Sequence, residues 1–250
     1  MADKPNFGNE HKDDEWGCIH VEVTSNTNPK IHLCHVNISD LKKMALELSM
    51  SVIDSSWIMD MDEGARRSYN KTALETANSL VEVFNAAIDE ESVSGVSGEF
   101  GELIVSMGSS RSLEVIFQHI SLPIAELWKP QRKQNEGFDF HTVCNKSVIN
   151  FGEAKFKSVP AASPVSDAAD QANSFFSEEK HFRDRVHLVN LVHVDAIANL
   201  DQELFGMVIA FSMNAKNPLT IYKNAISKVE SLSLFNKINS VYIVGVSHGN

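Results

Sequence analysis

Charged side chains interrupt two stretches that otherwise read as β-strand, Gly137-Phe-Asp-Phe-His141 and Ile149-Asn-Phe-Gly-Glu-Ala-Lys-Phe156. Burying a carboxylate or an ammonium is costly unless the charge is paired or binds a metal. Such a break in an apolar pattern marks a place where chemistry is expected. Asp139 and His141 are two apart, as are Glu153 and Lys155, so each pair shares one face of its strand. The turn between the strands decides which faces meet. A two-residue turn at Asn145-Lys146 pairs Asp139 with Gly152 and sends Glu153 away. A three-residue turn at Asn145-Lys146-Ser147 sets Asp139 opposite Glu153 and gathers Asp139, Glu153 and Lys155 on one face. We predict the second register, because two carboxylates and a lysine then converge on a cation. Mg²⁺ or Mn²⁺ takes oxygen ligands, and Asp139 and Glu153 are the candidates to supply them. An ion held there neutralises charge at a scissile phosphate, and a lysine can orient the attacking water or stabilise the transition state.

The elements that must position these residues follow from periodicity. The strands run over Gly137–Cys144 and about 148–156. Before them, Phe100, Leu103, Ile104 and Met107 form an apolar stripe that predicts a helix over about 98–108. Residues 113–128 are apolar, helical or mixed. After the strands, the Pro/Ser/Ala-rich segment 157–167 reads as a loop, and a helix is expected over about 167–180. The remainder alternates apolar segments at 186–194 and 203–213, a helix at 219–231, and a last strand, Ser-Val-Tyr-Ile-Val-Gly-Val-Ser. Near the start, residues 1–16 are polar and read as a frayed terminus. Two alternating, β-branched strands at 18–24 and 30–36 follow, then helices at about 40–54 and 62–89. The loop at 91–98 is the best internal boundary. It divides residues 1–95, a strand and helix region suited to binding a partner, from residues 96–250, which hold the motif. Mixed strands and helices make the class α/β (α+β).

The motif strands resemble the core of the PD-(D/E)XK, restriction-endonuclease-like nucleases. Asp139 matches that family's aspartate and Glu153-Ala-Lys155 its Glu-x-Lys. The family carries a further glutamate on a helix upstream. Gly98-Glu-Phe-Gly-Glu-Leu103 is similar to that helix, with Glu102 the first choice and Glu99 the second. The helix after the strands would carry Gln171. With Lys129 before the motif, Gly-x-Asp-x-His and Gly-Glu-x-Lys, residues 97–180 resemble more narrowly the nuclease subunit of Hachiman-type antiphage systems. The resemblance implies a restriction-endonuclease-like mixed sheet flanked by helices, with an N-terminal extension of two strands and helices. It also implies metal-dependent hydrolysis of phosphodiester bonds in DNA and a helicase partner in a hetero-complex.

The chain has 250 residues and a formal net charge of −11. A chain with that charge repels a polyanion, so DNA must meet a local basic patch, bound cations or a partner that delivers it. Lys129, Arg132 and Lys133, with Lys155 and Lys157 after the motif, form a basic run that tracks a phosphate backbone or faces solvent as a loop. His141 reads as a substrate-side group, a general base or a half-buried sheet histidine. Asp60, Asp62 and Glu63 read as helix-capping acids rather than a metal site. His187, His193 and Asp195 follow no ligand spacing. The three cysteines read as reduced thiols of a cytoplasmic protein. No apolar run reaches the ~18 residues of a membrane span, and no phosphate-binding loop is present. The alternative to an enzyme is a non-catalytic interaction subunit on a nuclease-like fold, which divalent cations should not stabilise.

Overall fold

The computed structural model describes residues 5–25, 28–88, 98–129, 137–158 and 163–248. Eight strands form one mixed sheet: β1 (Asn6–Asp13), β2 (Cys18–Thr24), β3 (Ile31–Ile38), β4 (Ile120–Ser121), β5 (Phe140–Val143), β6 (Ile149–Lys155), β7 (Phe205–Ser212) and β8 (Val241–His248). Their order is β1-β2-β3-β8-β7-β6-β5-β4. The middle is parallel, β3 with β8, β8 with β7 and β7 with β6, and both flanks are antiparallel. Every residue of β7 is buried, so its sequence FGMVIAFS shows no alternation. Central parallel strands lose it because helices cover both faces.

The helices are α1 (Leu41–Ile53), α2 (Ser56–Met59), α3 (Glu63–Ile88), α4 (Gly98–Phe117), α5 (Ser163–Ser177), α6 (Lys180–Leu188), α7 (Val194–Asp201) and α8 (Pro218–Glu230). Phe151 and Gly152 are neighbours on β6 and point to opposite faces. The Phe151 ring meets Phe176 of α5. A Cβ on Gly152 would meet the Phe140 ring, which lines a cleft with Met107 and Ser110 of α4. The sheet therefore lies between α4 and α5, and the motif strand is covered on both sides.

Helix starts follow their caps. Asp40 accepts from Lys43 N at 3.0 Å to open α1. Asp62 Oδ1 accepts from Gly64 N at 2.8 Å and Ala65 N at 3.1 Å to open α3, which is the capping role expected of the acidic cluster.

Several expectations are corrected. Residues 6–13 are not a frayed end but edge strand β1, paired antiparallel with β2. They read as a tail because all but Asp13 are exposed, and the backbone pairing leaves no hydrophobic signature. The N-terminal region thus gives three strands rather than two, and β3 joins them to the sheet of the motif strands through β8. Helix α4 continues to Phe117, well past 108. Its Gly108-Ser-Ser run looks like a break but is buried, and a Cβ on Gly108 would lie 2.8 Å from Met44 Cε of α1. Small residues are needed where two helices approach this closely. Helix α5 starts at Ser163 and ends at Ser177, earlier than expected. Residues 180–201 hold two short helices, α6 and α7, across the apolar segment expected at 186–194. Apart from Gly98, the boundary loop at 91–98 lies outside the described residues.

Candidate active site

The β5–β6 hairpin has the register that the three-residue turn requires. Phe140 pairs with Gly152, His141 with Phe151, Thr142 with Asn150 and Val143 with Ile149. Cys144 N donates to Val148 O at 3.0 Å, which leaves Asn145, Lys146 and Ser147 as the turn, with Ser147 at φ 55°. Asp139 stands just before the first of these pairs, and its charge acts on Glu153. Asp139 N donates to Gly152 O at 2.8 Å, and Asp139 Oδ2 accepts from Ala154 N at 2.8 Å. The aspartate is therefore fixed to β6 by its own side chain.

Glu153 is 0% exposed. Its Oε1 accepts from Lys155 Nζ at 2.8 Å, and its Oε2 is buried with no hydrogen-bond partner. Lys155 Nζ also lies 3.9 Å from Glu102 Oε1, so Glu102 is the helix glutamate that reaches this lysine. Glu99, the second choice, is exposed one turn earlier on α4.

Burial, with Asp139's charge added, raises the Glu153 carboxyl well above its ordinary range despite Lys155. Burial raises Asp139 to about 6, against the Ala154 N–H and the Lys155 and Lys129 charges. Burial opposes the Lys155 charge, but Glu153, Asp139 and Glu102 together hold its ammonium above the usual lysine range.

A further carboxyl, which the sequence reading missed, is half-buried and feels the charge of Asp139. Glu126 is on a 3₁₀ turn, Ala125–Leu127. Ala125 N donates to Asp139 O at 3.2 Å, so this turn is fastened to the aspartate's own backbone. Burial, then Asp139's charge, raises Glu126 to about 7, against its own backbone N–H and the Lys129 charge, and its Oε2 has no partner. One signal was visible: Glu126 is the lone acid in the apolar stretch Leu122–Trp128.

The other expected residues are placed differently. Lys129 is tied inward, to Phe138 O at 2.7 Å and Asp184 Oδ2 at 2.8 Å, with its side chain 14% exposed. His141 is buried, and its Nε2 is 2.9 Å from the same Asp184 oxygen. Although His141 is two residues from Asp139, it serves this Lys129–Asp184 cluster. Lys157 Nζ contacts Ser163 Oγ and donates to Asp167 Oδ2 at 2.9 Å. Arg132 and Lys133 lie outside the described residues. Gln171 is half-buried on α5, which packs on β6 and β7. His187 is 2.7 Å from the Tyr69 hydroxyl, and His193 accepts from Asp195 N to cap α7.

Among the described residues, three metal-ligating side chains come within 4.8 Å of one another only at Asp13, Cys18 and His20. Protein contacts account for that cluster. Asp13 accepts from Arg111 Nε at 2.8 Å and from Trp16 N at 3.2 Å, and Cys18 Sγ is 3.3 Å from His20 Nε2. Burial pushes the Cys18 thiol up to about 12. A cavity of about 340 Å³ opens between α1 and α4, on the far side of Leu127 and Phe140 from the acids. None of the site's acids lines it.

No helix among the described residues is long and apolar enough to cross a membrane. No family model, curated protein or solved structure matches the chain.

Proposed function

We propose that this chain is a divalent-metal-dependent nuclease that hydrolyses phosphodiester bonds in DNA, as the effector subunit of an antiphage complex with a helicase partner. The observation that carries the reading is Glu153: fully buried, one oxygen on Lys155 and the other unpartnered, with the Asp139 carboxyl across the hairpin. An orphaned buried carboxylate oxygen costs several kcal/mol in principle, and a cation with oxygen ligands relieves it. The donor set fits Mg²⁺ or Mn²⁺: carboxylates only, with no thiolate or imidazole among them. Asp139 and Glu153 would hold the ion, which when bound supplies Lewis-acid charge neutralisation at the scissile phosphate.

The chain's own groups do the rest. Ala154 N–H fixes the Asp139 carboxylate against rotation. Lys155 stays charged and half-buried, able to donate to an attacking water or a phosphate oxygen. Glu102, 49% exposed at the mouth of the site, balances that ammonium. Of the described lysines of the basic run, Lys129 and Lys157 are both paired within the protein. This and the net charge of −11 support delivery of the DNA by a basic partner.

The test is cleavage of supercoiled and linear DNA in Mg²⁺ or Mn²⁺ against EDTA, by the chain alone and with its partner. Wild type is compared with Lys155→Ala. Metal-dependent nicking that disappears in the variant is the expected result. Full activity in Lys155→Ala removes the site assignment. A partner-bound wild type that never cuts removes the enzyme and leaves the interaction subunit.

A further inference from the structure

We propose that Asp13, Cys18 and His20 form a Zn²⁺ site that fastens edge strand β1 to β2, separate from the acidic site on β6.

The hairpin itself assembles the ligands. β1 pairs with β2 so that Asp13 lies directly opposite Cys18, and His20 follows Cys18 by two residues. Directly opposed residues share a face, as do residues two apart, so all three side chains project from one face. All three are buried. Contacts within the protein hold them together, and they hold them at the spacing of a zinc centre. With Zn–S near 2.3 Å and Zn–N or Zn–O near 2.0–2.2 Å, tetrahedral ligand atoms stand about 3.3–3.6 Å apart. His20 Nε2 lies 3.3 Å from Cys18 Sγ and 3.5 Å from Asp13 Oδ2. The three ligand atoms all fall within 4.8 Å of one another.

Their existing contacts leave room for the ion. His20 Nδ1 has no partner, so the two groups its ring meets through Nε2 are the other two ligands. Asp13 Oδ2 accepts from Arg111 Nε at 2.8 Å, and a carboxylate oxygen keeps a second lone pair for a metal. Arg111 then stands behind the ligand as an outer donor, as partners of metal-bound carboxylates do. A thiolate, an imidazole and a carboxylate together select Zn²⁺ over Mg²⁺, and three protein ligands leave the fourth tetrahedral position to a water. When the S–Zn bond forms, the Cys18 thiol gives its proton to solvent, and nothing is oxidised or reduced. Arg111 also pairs with Glu114, so the ion, both anionic ligands and this outer pair sum to zero charge. β1 is exposed along its length except at Asp13, so a metal bond there would fasten a strand that buries almost nothing.

The experiment uses the full-length chain stripped of metal, with Zn²⁺ for affinity and melting temperature and Co²⁺ as the spectroscopic probe. Co²⁺ on a thiolate gives a sulfur-to-cobalt charge-transfer band in the near ultraviolet. A site of carboxylates alone cannot give that band, so ions at Asp139 and Glu153 do not enter the reading. Wild type is expected to show the band, to release about one proton per ion and to melt higher with Zn²⁺. Cys18→Ser is expected to lose the band, and both Cys18→Ser and His20→Gln to bind Zn²⁺ about 100-fold or more weakly. Cys144→Ser, which changes the half-buried thiol elsewhere, is expected to keep wild-type binding. A wild type without the band overturns the inference, and so does a full band in Cys18→Ser. If Cys18→Ser does not fold, a band that disappears in Cys144→Ser overturns it instead. None of these outcomes bears on the nuclease reading, which rests on other residues.

Discussion

Lys155 donates to one oxygen of Glu153 at 2.8 Å, and the other oxygen of that buried carboxylate has no partner. The pair is half satisfied, and that decides what happens when the lysine goes. Breaking a buried ion pair from one side ordinarily costs ~3–5 kcal/mol. Glu153 has an escape, because its carboxyl already titrates well above the usual range and can take a proton instead. Lys155→Ala should therefore lose less, about 1–3 kcal/mol, with the larger loss at pH 8 than at pH 5. Metal-dependent cleavage should fall by ~10²-fold or more. Urea denaturation at the two pH values, beside the cleavage rate, checks both. Equal losses at both pH values would show that Glu153 does not take up the proton.

Glu126 gives a pH signature that can be isolated by difference. Burial raises its carboxyl from 4.5 to about 7 in the folded chain. Between these values the native state keeps a proton that the unfolded chain has released, so native stability falls as pH rises toward and through 7. Buried His35, His119 and His181 are pushed down to about 4, chiefly by burial. They act in the opposite sense, adding stability as pH rises from about 4 to 6.5. These histidines are shared by wild type and Glu126→Gln, so they cancel in a comparison. In metal-free buffer, the stability of wild type relative to the variant should drop on the order of 3 kcal/mol from pH 4.5 to 8. A difference that stays flat across that range would mean that Glu126 is not buried as described.

Local chemistry made the hairpin legible, and long-range contact hid its surroundings. Ser147 in a left-handed turn fixes the register of β5 and β6, and a register shift of one residue would have sent Glu153 to the other face. Spacing leaves two registers for this hairpin, and the three-residue turn is preferred because it gathers Asp139, Glu153 and Lys155 on one face. Glu126 could not be placed by spacing, because what brings it to Asp139 is a bond from Ala125 N across a span of 14 residues. The partner that Lys129 and His141 share was not legible for a related reason. Asp184 lies on α6, more than forty residues from His141. Edge strand β1 was invisible for the opposite reason: it buries almost nothing, and backbone pairing carries no side-chain pattern.

The Asp184 cluster yields a prediction that separates structure from substrate binding. Asp184 receives Lys129 at 2.8 Å and His141 at 2.9 Å, and Lys129 also holds the Phe138 carbonyl just before Asp139. Asp184→Asn leaves a buried ammonium without its counter-charge and should cost ~3 kcal/mol or more. Lys129→Met should also destabilise the protein, because it frees the segment that carries Asp139. It should leave the salt dependence of DNA binding by the partner-bound chain unchanged, since its ammonium faces inward. A lysine on a phosphate would instead lower the slope of log K against log salt by about one. A slope reduced to that extent in Lys129→Met would return this residue to the DNA-contacting set.

Gly101 sets the distance between the two halves of the site. It precedes Glu102 on α4, and a Cβ built there would lie 2.1 Å from an atom of the Phe156 ring, just past the end of β6. Contact of this kind with ring atoms cannot be absorbed without moving the ring or the helix. The first turn of α4 can lie against the end of β6, with Glu102 Oε1 3.9 Å from Lys155 Nζ, because residue 101 has no side chain. Gly101→Ala should cost ~1–3 kcal/mol by overpacking, in spite of alanine's better helix propensity. The clash is specific to one neighbour, so it should be relieved by making room there. Phe156→Leu alone loses buried ring contacts, yet combined with Gly101→Ala it should recover at least ~0.5 kcal/mol relative to the sum of the single changes. A thermodynamic cycle over the four proteins by urea denaturation measures that coupling. Strict additivity would show that α4 tolerates the methyl group by shifting elsewhere, and that Phe156 does not set the approach of Glu102 to Lys155.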